Sequence, residues 1–215
     1  MNMFRKESGL RISLANVLFV IVTLLIVSCQ NQSLLPKYGE RDFDENGDTV
    51  FHVIPDFSFT NQFDEEITQN TYSGKIYIAD FFFTTCPGIC PIMTGELTRV
   101  QEALREAEVE VMFLSHTVDP EHDSTSVLLA YGKRKGADFT TWNFVTGSKS
   151  KLYHIAETYL VVANHNPAEE MEFVHSDKLV LVDKSGRIRG LYSGIETREV
   201  DQLIKDVKTL VKEYE

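Results

Sequence analysis

The sequence predicts an α/β fold, a sandwich in which a central mixed sheet is flanked by helices and a β-hairpin lies near the C-terminus. Three observations lead to this fold class. Strand and helix signals alternate from Phe51 onward. A strongly apolar strand runs directly into a helix with one apolar face. Two short apolar strands then flank a turn, and a last amphipathic helix follows them.

Most of the elements are predicted from the spacing of apolar residues. Phe57 to Thr60 alternates in polarity like a half-buried strand, and Ile76 to Phe83 is typical of a buried central strand. A second strand is predicted over Val109 to Ser115, with helices around Val127 to Arg134 and over Lys151 to Tyr159. The helix after the central strand has apolar residues at spacings of four and three on one face. They are Met93, Leu97, Val100, Leu104 and Ala107.

The C-terminal part predicts a hairpin and a helix. Leu179 to Val182 and Arg187 to Tyr192 flank Asp183-Lys184-Ser185-Gly186, which is a turn signal. Thr197 is predicted to cap the last helix. The resulting order of elements is the one expected of a thioredoxin-like α/β sandwich. A single domain over residues 51–215 accounts for all of them.

The N-terminus predicts export and lipidation. Residues 1–28 have a basic start, an apolar run from Leu14 to Val27 and a small residue before Cys29, the pattern of a lipoprotein signal peptide. Cys29 would carry the lipid, and residues 29–50 would form a polar tether. An uncleaved signal anchor is the alternative. The predicted location is the cell envelope, with the domain anchored in the membrane and facing the extracytoplasmic, periplasmic side.

The charge of the chain limits its partners. The formal net charge is −11, and removal of the basic leader makes the rest more acidic. This balance argues against nucleic acid or anionic lipid as a partner. It fits a domain that acyl chains hold at the membrane.

The most informative residues are Cys86 and Cys90, each followed by proline where the central strand feeds a helix. Positions i and i+4 share a helix face, and the first turn of a helix favours thiolates. Such a pair can close a disulfide, reduce one, or hold a soft metal. A merely structural disulfide gains little, because cross-linking so short a loop contributes little stability. Cys86, nearer the helix start, is expected to be the more acidic and exposed thiol, with Cys90 as its resolving partner.

A histidine is a candidate third member of the site. His175 is favoured because it lies just before the strand from Leu179, although an ordinary polar role is equally compatible with its position. His116 is assigned to a solvated loop, and Met93 to core packing. The remaining histidines are expected to have no part in the site: His52, His122, His154 and His165.

Four segments resemble the SCO/SenC family of copper-binding assembly proteins for cytochrome c oxidase, and they occur in that family's order. The resemblance implies a thioredoxin fold in which Cys86, Cys90 and His175 bind copper as Cu(I) or Cu(II). Apart from the resemblance, Asp119 is a weaker candidate for an additional oxygen ligand to Cu(II). Thiolates suit Cu(I), and an imidazole lets the site hold Cu(II) as well. The matching segments are Thr85 to Pro91, Val118 to Asp123, Trp142 to Gly147, and His175-Ser176 with the following strand through Asp183 and Gly186.

Two functions follow from this resemblance. The first is a membrane-anchored copper metallochaperone that delivers one copper ion to the copper-site subunit of cytochrome c oxidase, with other copper carriers or thiol reductants as further partners. The second is a thiol–disulfide oxidoreductase that keeps the acceptor's cysteines reduced, with Cys86 and Cys90 as a redox-active pair. The CxxxC spacing favours copper over the CxxC of dedicated oxidoreductases, as does the lack of a proline directly before Leu179. A thiol peroxidase needs only one activated cysteine, which disfavours it.

Overall fold

A computed structural model describes residues 34–161 and 176–215, which belong to one compact unit over Leu34–Glu215. The predicted leader, Cys29 and His175 lie outside the described residues. The strands are β1 (Arg41–Phe43), β2 (Thr49–Phe51), β3 (Ser58–Asn61), β4 (Glu66–Thr68), β5 (Tyr77–Phe82), β6 (Met112–Thr117), β7 (Trp142–Thr146), β8 (Lys178–Val182) and β9 (Ile188–Ser193). The helices are α1 (Gln69–Tyr72), α2 (Cys90–Glu106), α3 (Thr125–Lys135), α4 (Lys149–Thr158) and α5 (Thr197–Lys212).

Seven strands form one mixed sheet in the order β4-β3-β7-β6-β5-β8-β9. The pairs β5–β6 and β6–β7 are parallel, whereas β8 runs antiparallel to β5 and pairs with β9 as the predicted hairpin. This arrangement confirms the predicted mixed sheet flanked by helices. All six residues of β5 are buried, as expected for a central strand with helices on both faces.

Each face of the sheet has its own core because side chains alternate along β5. Ile78 and Phe82 face the side on which α2, α3 and α5 pack. Tyr77 and Phe81 face the side covered by α4 and the aromatic residues around it. The cysteine pair belongs to the first of these cores.

Several boundaries differ from the prediction. β6 begins at Met112 rather than Val109, because the chain leaves α2 through Glu108 with a positive φ of 56° and needs three more residues to enter the sheet. Thr197 is the first helical residue of α5, and the preceding Glu196 takes the cap position. Strands β4 and β7 were not predicted as strands, although β7 pairs with both β6 and β3.

The described part of the predicted tether contacts the domain. β1 and β2 form a two-stranded hairpin. The Leu35 backbone N–H donates to Glu213 at 2.8 Å, and the Tyr38 N–H donates to the carbonyl of Ile188 at 2.9 Å. Residues 34–51 are therefore fixed to the β9 and α5 side of the molecule.

Candidate metal centre

The two cysteines occupy different backbone environments. Cys90 is the first residue of α2, whereas Cys86 lies in the turn that follows β5, where its backbone N–H donates to the carbonyl of Phe83 at 3.2 Å. Pro87 disfavours a helical conformation at Cys86, because its ring collides with the preceding residue in that conformation. The expectation that both thiols share one helix face was therefore wrong.

The two thiols nevertheless contact each other. Both are free, and their residues are 8% and 4% exposed. The Cys90 side chain is hydrogen-bonded to that of Cys86. Two buried sulfur atoms in hydrogen-bonding contact can close a disulfide or bind the same soft metal ion.

The environment makes Cys86 the more acidic thiol. Burial acts to raise the pKa of Cys86, but hydrogen bonds from Cys90 and from the backbone N–H groups of Gly88 and Ile89 outweigh it and hold the pKa below the usual value. Burial raises the pKa of Cys90 to about 12, with a further increase from the hydrogen bond and charge of Cys86. The direction of this asymmetry agrees with the prediction. Its cause is the turn around the Cys86 sulfur, which directs N–H groups at it.

Asp123 fixes the turn that carries Cys86. Its fully buried carboxylate accepts hydrogen bonds from the backbone N–H of Thr84 at 3.0 Å and from the hydroxyls of Thr84 and Thr117. Thr84 is two residues before Cys86, and Thr117 ends β6. The carboxylate therefore attaches the turn after β5 to the end of the neighbouring strand.

A second hydrogen-bonded pair supports the start of α2. The Thr94 hydroxyl donates to the carbonyl of Cys90 at 2.9 Å and contacts the Tyr131 hydroxyl at 2.8 Å. Burial raises the pKa of Tyr131, and the nearby Cys90 and Asp80 raise it further. Tyr131 on α3 is thus part of the wall around the thiols.

The residues that follow the segment containing His175 connect to the helix that carries Cys90. Ser176 is buried, and the carbonyl of Asp177 accepts a hydrogen bond from the N–H of Gly194 at 2.6 Å. A Cβ atom on Gly194 would lie 3.1 Å from the side chain of Met93, which is one helical turn beyond Cys90. As the sequence predicts, no proline directly precedes this strand. The residue before β8 is Asp177, and none of the described peptide bonds is cis.

The remaining residues that the sequence offered as possible ligands lie in different parts of the fold. His116 is completely buried, so its assignment to a solvated loop was wrong. Met93 is a core residue, as predicted, and His154 is exposed, also as predicted. Asp119 is partly buried. Burial raises the pKa of Tyr153, and the charge of Asp119 raises it further. His122 is exposed, His52 contacts the carbonyl of Thr158 at 2.7 Å, and His165 is not among the described residues.

Within the described ranges no group of three or more His, Cys, Asp or Glu side chains is arranged to hold a metal ion. The two thiols alone supply the soft donors that Cu(I) prefers. Across residues 34–161 and 176–215, no helix is long and apolar enough to cross a membrane.

Sequence reasoning missed two carboxylates near the pair. In the sequence, Asp123 is only the last residue of the Val118 to Asp123 segment, because its structural role depends on Thr84 and Thr117, which form contacts with it only in the fold. Asp80 lies in the middle of β5 and is completely buried on the dithiol side. A carboxylate inside an apolar strand was the available signal, because an ionised group in such a position is costly unless it has a role.

The family model SCO1/SenC matches residues 46–212. This match covers well over half of the chain, which therefore belongs to the SCO1/SenC family.

Three relatives extend the comparison. A SCO1/SenC family lipoprotein from Bacillus anthracis has a solved structure that is 28% identical, with a TM-score of 0.66, and the match covers 74% of this chain and 95% of that one. The structure of BsSco, described as a member of the Sco family of cytochrome c oxidase assembly proteins with a disulfide switch, is 31% identical. Its TM-score is 0.65, and the match covers 74% of this chain and 93% of that one. A protein of Stutzerimonas stutzeri named as copper-binding is 30% identical over 64% of this chain and 68% of its own length.

Proposed function

We propose that this chain is a membrane-anchored copper metallochaperone, which binds one copper ion and delivers it to a copper site of cytochrome c oxidase. The observation that carries this proposal is the pair of free, buried thiols in mutual contact at the turn between β5 and α2. Membership of the SCO1/SenC family supports the assignment of this pair as the copper site. The relatives named for copper binding and for oxidase assembly support the same function.

The donor set follows from the chemistry of the metal. Cys86 and Cys90 supply two thiolates, which suit Cu(I) in a linear geometry. His175 supplies an imidazole that adds affinity for Cu(II). The described residues that follow it support this assignment, because Ser176 is buried and Asp177 connects through Gly194 to Met93 on the helix of Cys90.

The anchor is proposed to be a lipid on Cys29, after removal of residues 1–28. The domain would then lie on the extracytoplasmic face of the membrane. The Bacillus anthracis relative is described as a lipoprotein. Changing Cys29 to Ser should release the protein from membranes or leave the leader uncleaved. Mass spectrometry of the purified membrane form checks this, and an unmodified Cys29 would contradict it.

The second candidate is a thiol–disulfide oxidoreductase, favoured by the different acidities of the two thiols and by the disulfide switch of BsSco. The Cys86 thiolate would attack a disulfide of the acceptor and form a mixed disulfide, releasing the first acceptor thiolate. The Cys90 thiolate would then attack the Cys86 sulfur and release the second. Two electrons pass to the acceptor, Cys86 and Cys90 end as a disulfide, and a separate thiol reductant must restore them.

Copper titration of the reduced protein distinguishes these functions. The wild type should bind one copper ion, with thiolate-to-copper charge transfer in the absorption spectrum of the Cu(II) form. His175→Ala should weaken Cu(II) far more than Cu(I), because the two thiolates still hold Cu(I). His154→Ala is the matched control, since His154 is exposed, and it should change neither affinity nor the paramagnetic resonance spectrum.

The decisive variant removes both sulfur donors. Cys86→Ser/Cys90→Ser should lose the charge-transfer band and high-affinity copper. If copper binds this double variant as well as the wild type, the proposed site is wrong and the oxidoreductase becomes the better explanation. Disulfide reduction assays with the same variants then test that second function directly.

A further inference from the structure

A cluster of cations surrounds one aromatic ring at the N-terminal side of the domain. Lys37 Nζ lies 4.3 Å from the centroid of the Phe51 ring, and the guanidinium carbons of Arg41 and Arg187 lie 5.6 Å and 5.4 Å from it. We call Lys37, Arg41 and Arg187 the basic patch. All three line a cavity of about 380 Å³. The ring arranges three like charges on one surface through cation–π contacts.

The charges of the basic patch are not neutralised by neighbours. Within the described residues none of its members forms an ion pair. The carboxylates in the cavity wall, Asp183 and Glu213, are both paired with the buried Arg189, at 3.2 Å and 2.7 Å. The wall therefore carries four cations against two carboxylates, in a chain whose net charge is −11.

The acidic residues of the β1–β2 hairpin leave the patch accessible. Asp42 follows Arg41 within β1, so strand geometry directs its side chain to the face opposite that of Arg41. At the tip, the Asp44 carboxylate accepts hydrogen bonds from the backbone N–H groups of Asn46 and Asp48, both at 2.9 Å. Arg41 itself is exposed.

The basic patch lies close in sequence to the proposed lipid anchor, and this proximity indicates which ligand the patch binds. Leu34 is five residues beyond Cys29, and a fully extended chain of this length reaches roughly 17 Å. The next residues are fixed to the domain, because Arg189 donates to the carbonyls of Leu35 and Pro36 at 2.8 Å and 3.1 Å. A lipid on Cys29 would thus hold this side of the domain within a short distance of the bilayer.

We infer that the basic patch docks on anionic phospholipid headgroups, an inference that rests on the proposed lipid anchor. Arginine and lysine donate hydrogen bonds to phosphate oxygens, and each cation near an anionic leaflet adds to membrane binding. An acidic protein partner would satisfy the same charges, but a lipid on Cys29 would keep the bilayer within reach of the patch, which favours lipid as the ligand. The net charge of the whole chain, −11, argues against binding to anionic lipid. The basic patch is a local exception, because three cations lie together on one surface.

Docking in this way would orient the thiols. The patch lies beside the turn between β8 and β9, and that turn follows Val182, which pairs with Tyr77 at the start of β5. Cys86 comes after the other end of β5, and six strand residues span about 20 Å. The patch and the thiols are therefore at opposite ends of the sheet. A membrane-docked patch directs the thiols away from the lipid, toward the extramembrane part of an acceptor.

Vesicle binding tests the inference with matched variants. The chain from residue 30 onward contains the whole compact unit and carries no lipid. It should cosediment with vesicles of equal parts phosphatidylcholine and phosphatidylglycerol at low salt, and not with phosphatidylcholine alone. Replacing Lys37, Arg41 and Arg187 with Gln should weaken this binding about a hundredfold, since each cation contributes about fivefold (~1 kcal/mol).

The control removes the same number of charges elsewhere. Gln at Lys133, Lys151 and Arg198 gives the same net charge, and these three residues are exposed and form no ion pair in the described ranges. This variant should bind like the wild type. Equal weakening of both variants, or a wild type indifferent to phosphatidylglycerol, would overturn the inference, and the second outcome would point to an acidic protein partner.

The full-length protein separates this inference from the anchor itself. In anionic vesicles, amide hydrogen exchange should slow across residues 37–51 relative to neutral vesicles, and it should not do so in the patch variant. If Cys29 proves unmodified, the anchor is wrong, whereas the cosedimentation result with the unlipidated chain still decides on the patch. If Cys29 is lipidated but amide hydrogen exchange is equal in both vesicle types, the inference about the patch is wrong and the proposed anchor stands.

Discussion

Each face of the sheet buries a polar side chain at the centre of the β5–β6 pair, and the two faces hold it in different ways. Asp80 and Ser115 are opposite one another in the β5–β6 register on the dithiol side, and Phe81 and His116 are the next pair, on the other side. A shift of one position along neighbouring strands therefore moves a side chain from one core to the other.

On the dithiol side, a carboxyl group is buried with only part of its hydrogen-bonding capacity used. Asp80 Oδ1 accepts from the Ser115 hydroxyl, whose oxygen accepts in turn from the Trp142 indole N–H at 2.8 Å. Oδ2 has no partner among the described residues. Burial raises the pKa of Asp80 to about 7, although the Ser115 hydrogen bond acts to lower it. This face thus holds a group that changes charge near neutral pH.

On the other side, an imidazole is buried among aromatic rings. His116 stacks on Phe81 with centroids 4.6 Å apart, and Phe59 and Tyr159 lie within 5.5 Å of its centroid. Nδ1 lies 3.3 Å from the Asp80 carbonyl, and Nε2 has no partner among the described residues. Burial lowers the pKa of His116 to about 3, so the imidazole remains uncharged at any ordinary pH. The comparison shows that the buried group with a pKa near neutral pH lies on the face that carries the thiols.

The largest expected effect that would test this comparison comes from Asp80→Asn. The native protein holds the Asp80 proton more tightly than the unfolded chain does, so stability falls as pH rises from about 4 to about 7. Asn keeps the hydrogen bond to Ser115 without the ionisation, and it should raise the free energy of unfolding at pH 8 by up to about 4 kcal/mol. Urea unfolding of the reduced, metal-free protein at pH 4 and pH 8 measures this difference.

The control for that experiment is Asp56→Asn, because Asp56 is exposed. Its unfolding free energy should match the wild type at both pH values. A gain for Asp80→Asn that is the same at pH 4 and pH 8 would show that packing, and not ionisation, causes the effect.

The opposite pH dependence is expected on the other face. Because the folded-state pKa of His116 is lowered, the unfolded chain takes up the proton first, and stability falls as pH decreases from about 6.5 toward 3. At pH 5 the loss amounts to about 2 kcal/mol. His116→Phe fits among the aromatic rings and should remove this loss. Thermal unfolding between pH 7 and pH 5 measures it, and exposed His154→Phe is the control, which should follow the wild type.

The smallest effect compares two tyrosines, one on each face. Tyr131→Phe removes the contact with the Thr94 hydroxyl, and Tyr159→Phe removes the contact with the Tyr77 hydroxyl at 2.9 Å. Each should cost about 1 kcal/mol of stability. Only Tyr131→Phe should change the alkylation rate of Cys90, since only Tyr131 adjoins the thiols. Equal changes in alkylation for both variants would show that the faces are not independent.

The same alkylation assay tests the acidity of the thiols. In single-cysteine variants, Cys86 should react at lower pH than Cys90, because hydrogen bonds in the turn lower its pKa while burial raises that of Cys90. Faster labelling of Cys90 at low pH would reverse the assignment.

The sequence by itself determined the elements that depend on local patterns. The apolar run of β5, the one-faced helix α2 and the turn between β8 and β9 are each encoded within a short stretch of chain, because periodicity decides which face of an element can be buried. The CxxxC spacing likewise placed both cysteines between the end of β5 and the start of α2, whereas the contact between their sulfur atoms depends on the turn that joins the two elements.

Only the tertiary structure decided the environment of those sulfur atoms and of the groups around them. Asp123 holds Thr84 across 39 positions of sequence, and Arg189 binds Leu35 across 154. Whether His116 is exposed to solvent or buried depends on the aromatic rings of β3, β5 and the end of α4 that pack around it. Desolvation and long-range hydrogen bonds arise from atoms that are distant in the chain and adjacent in the fold, so no local pattern of residues specifies them.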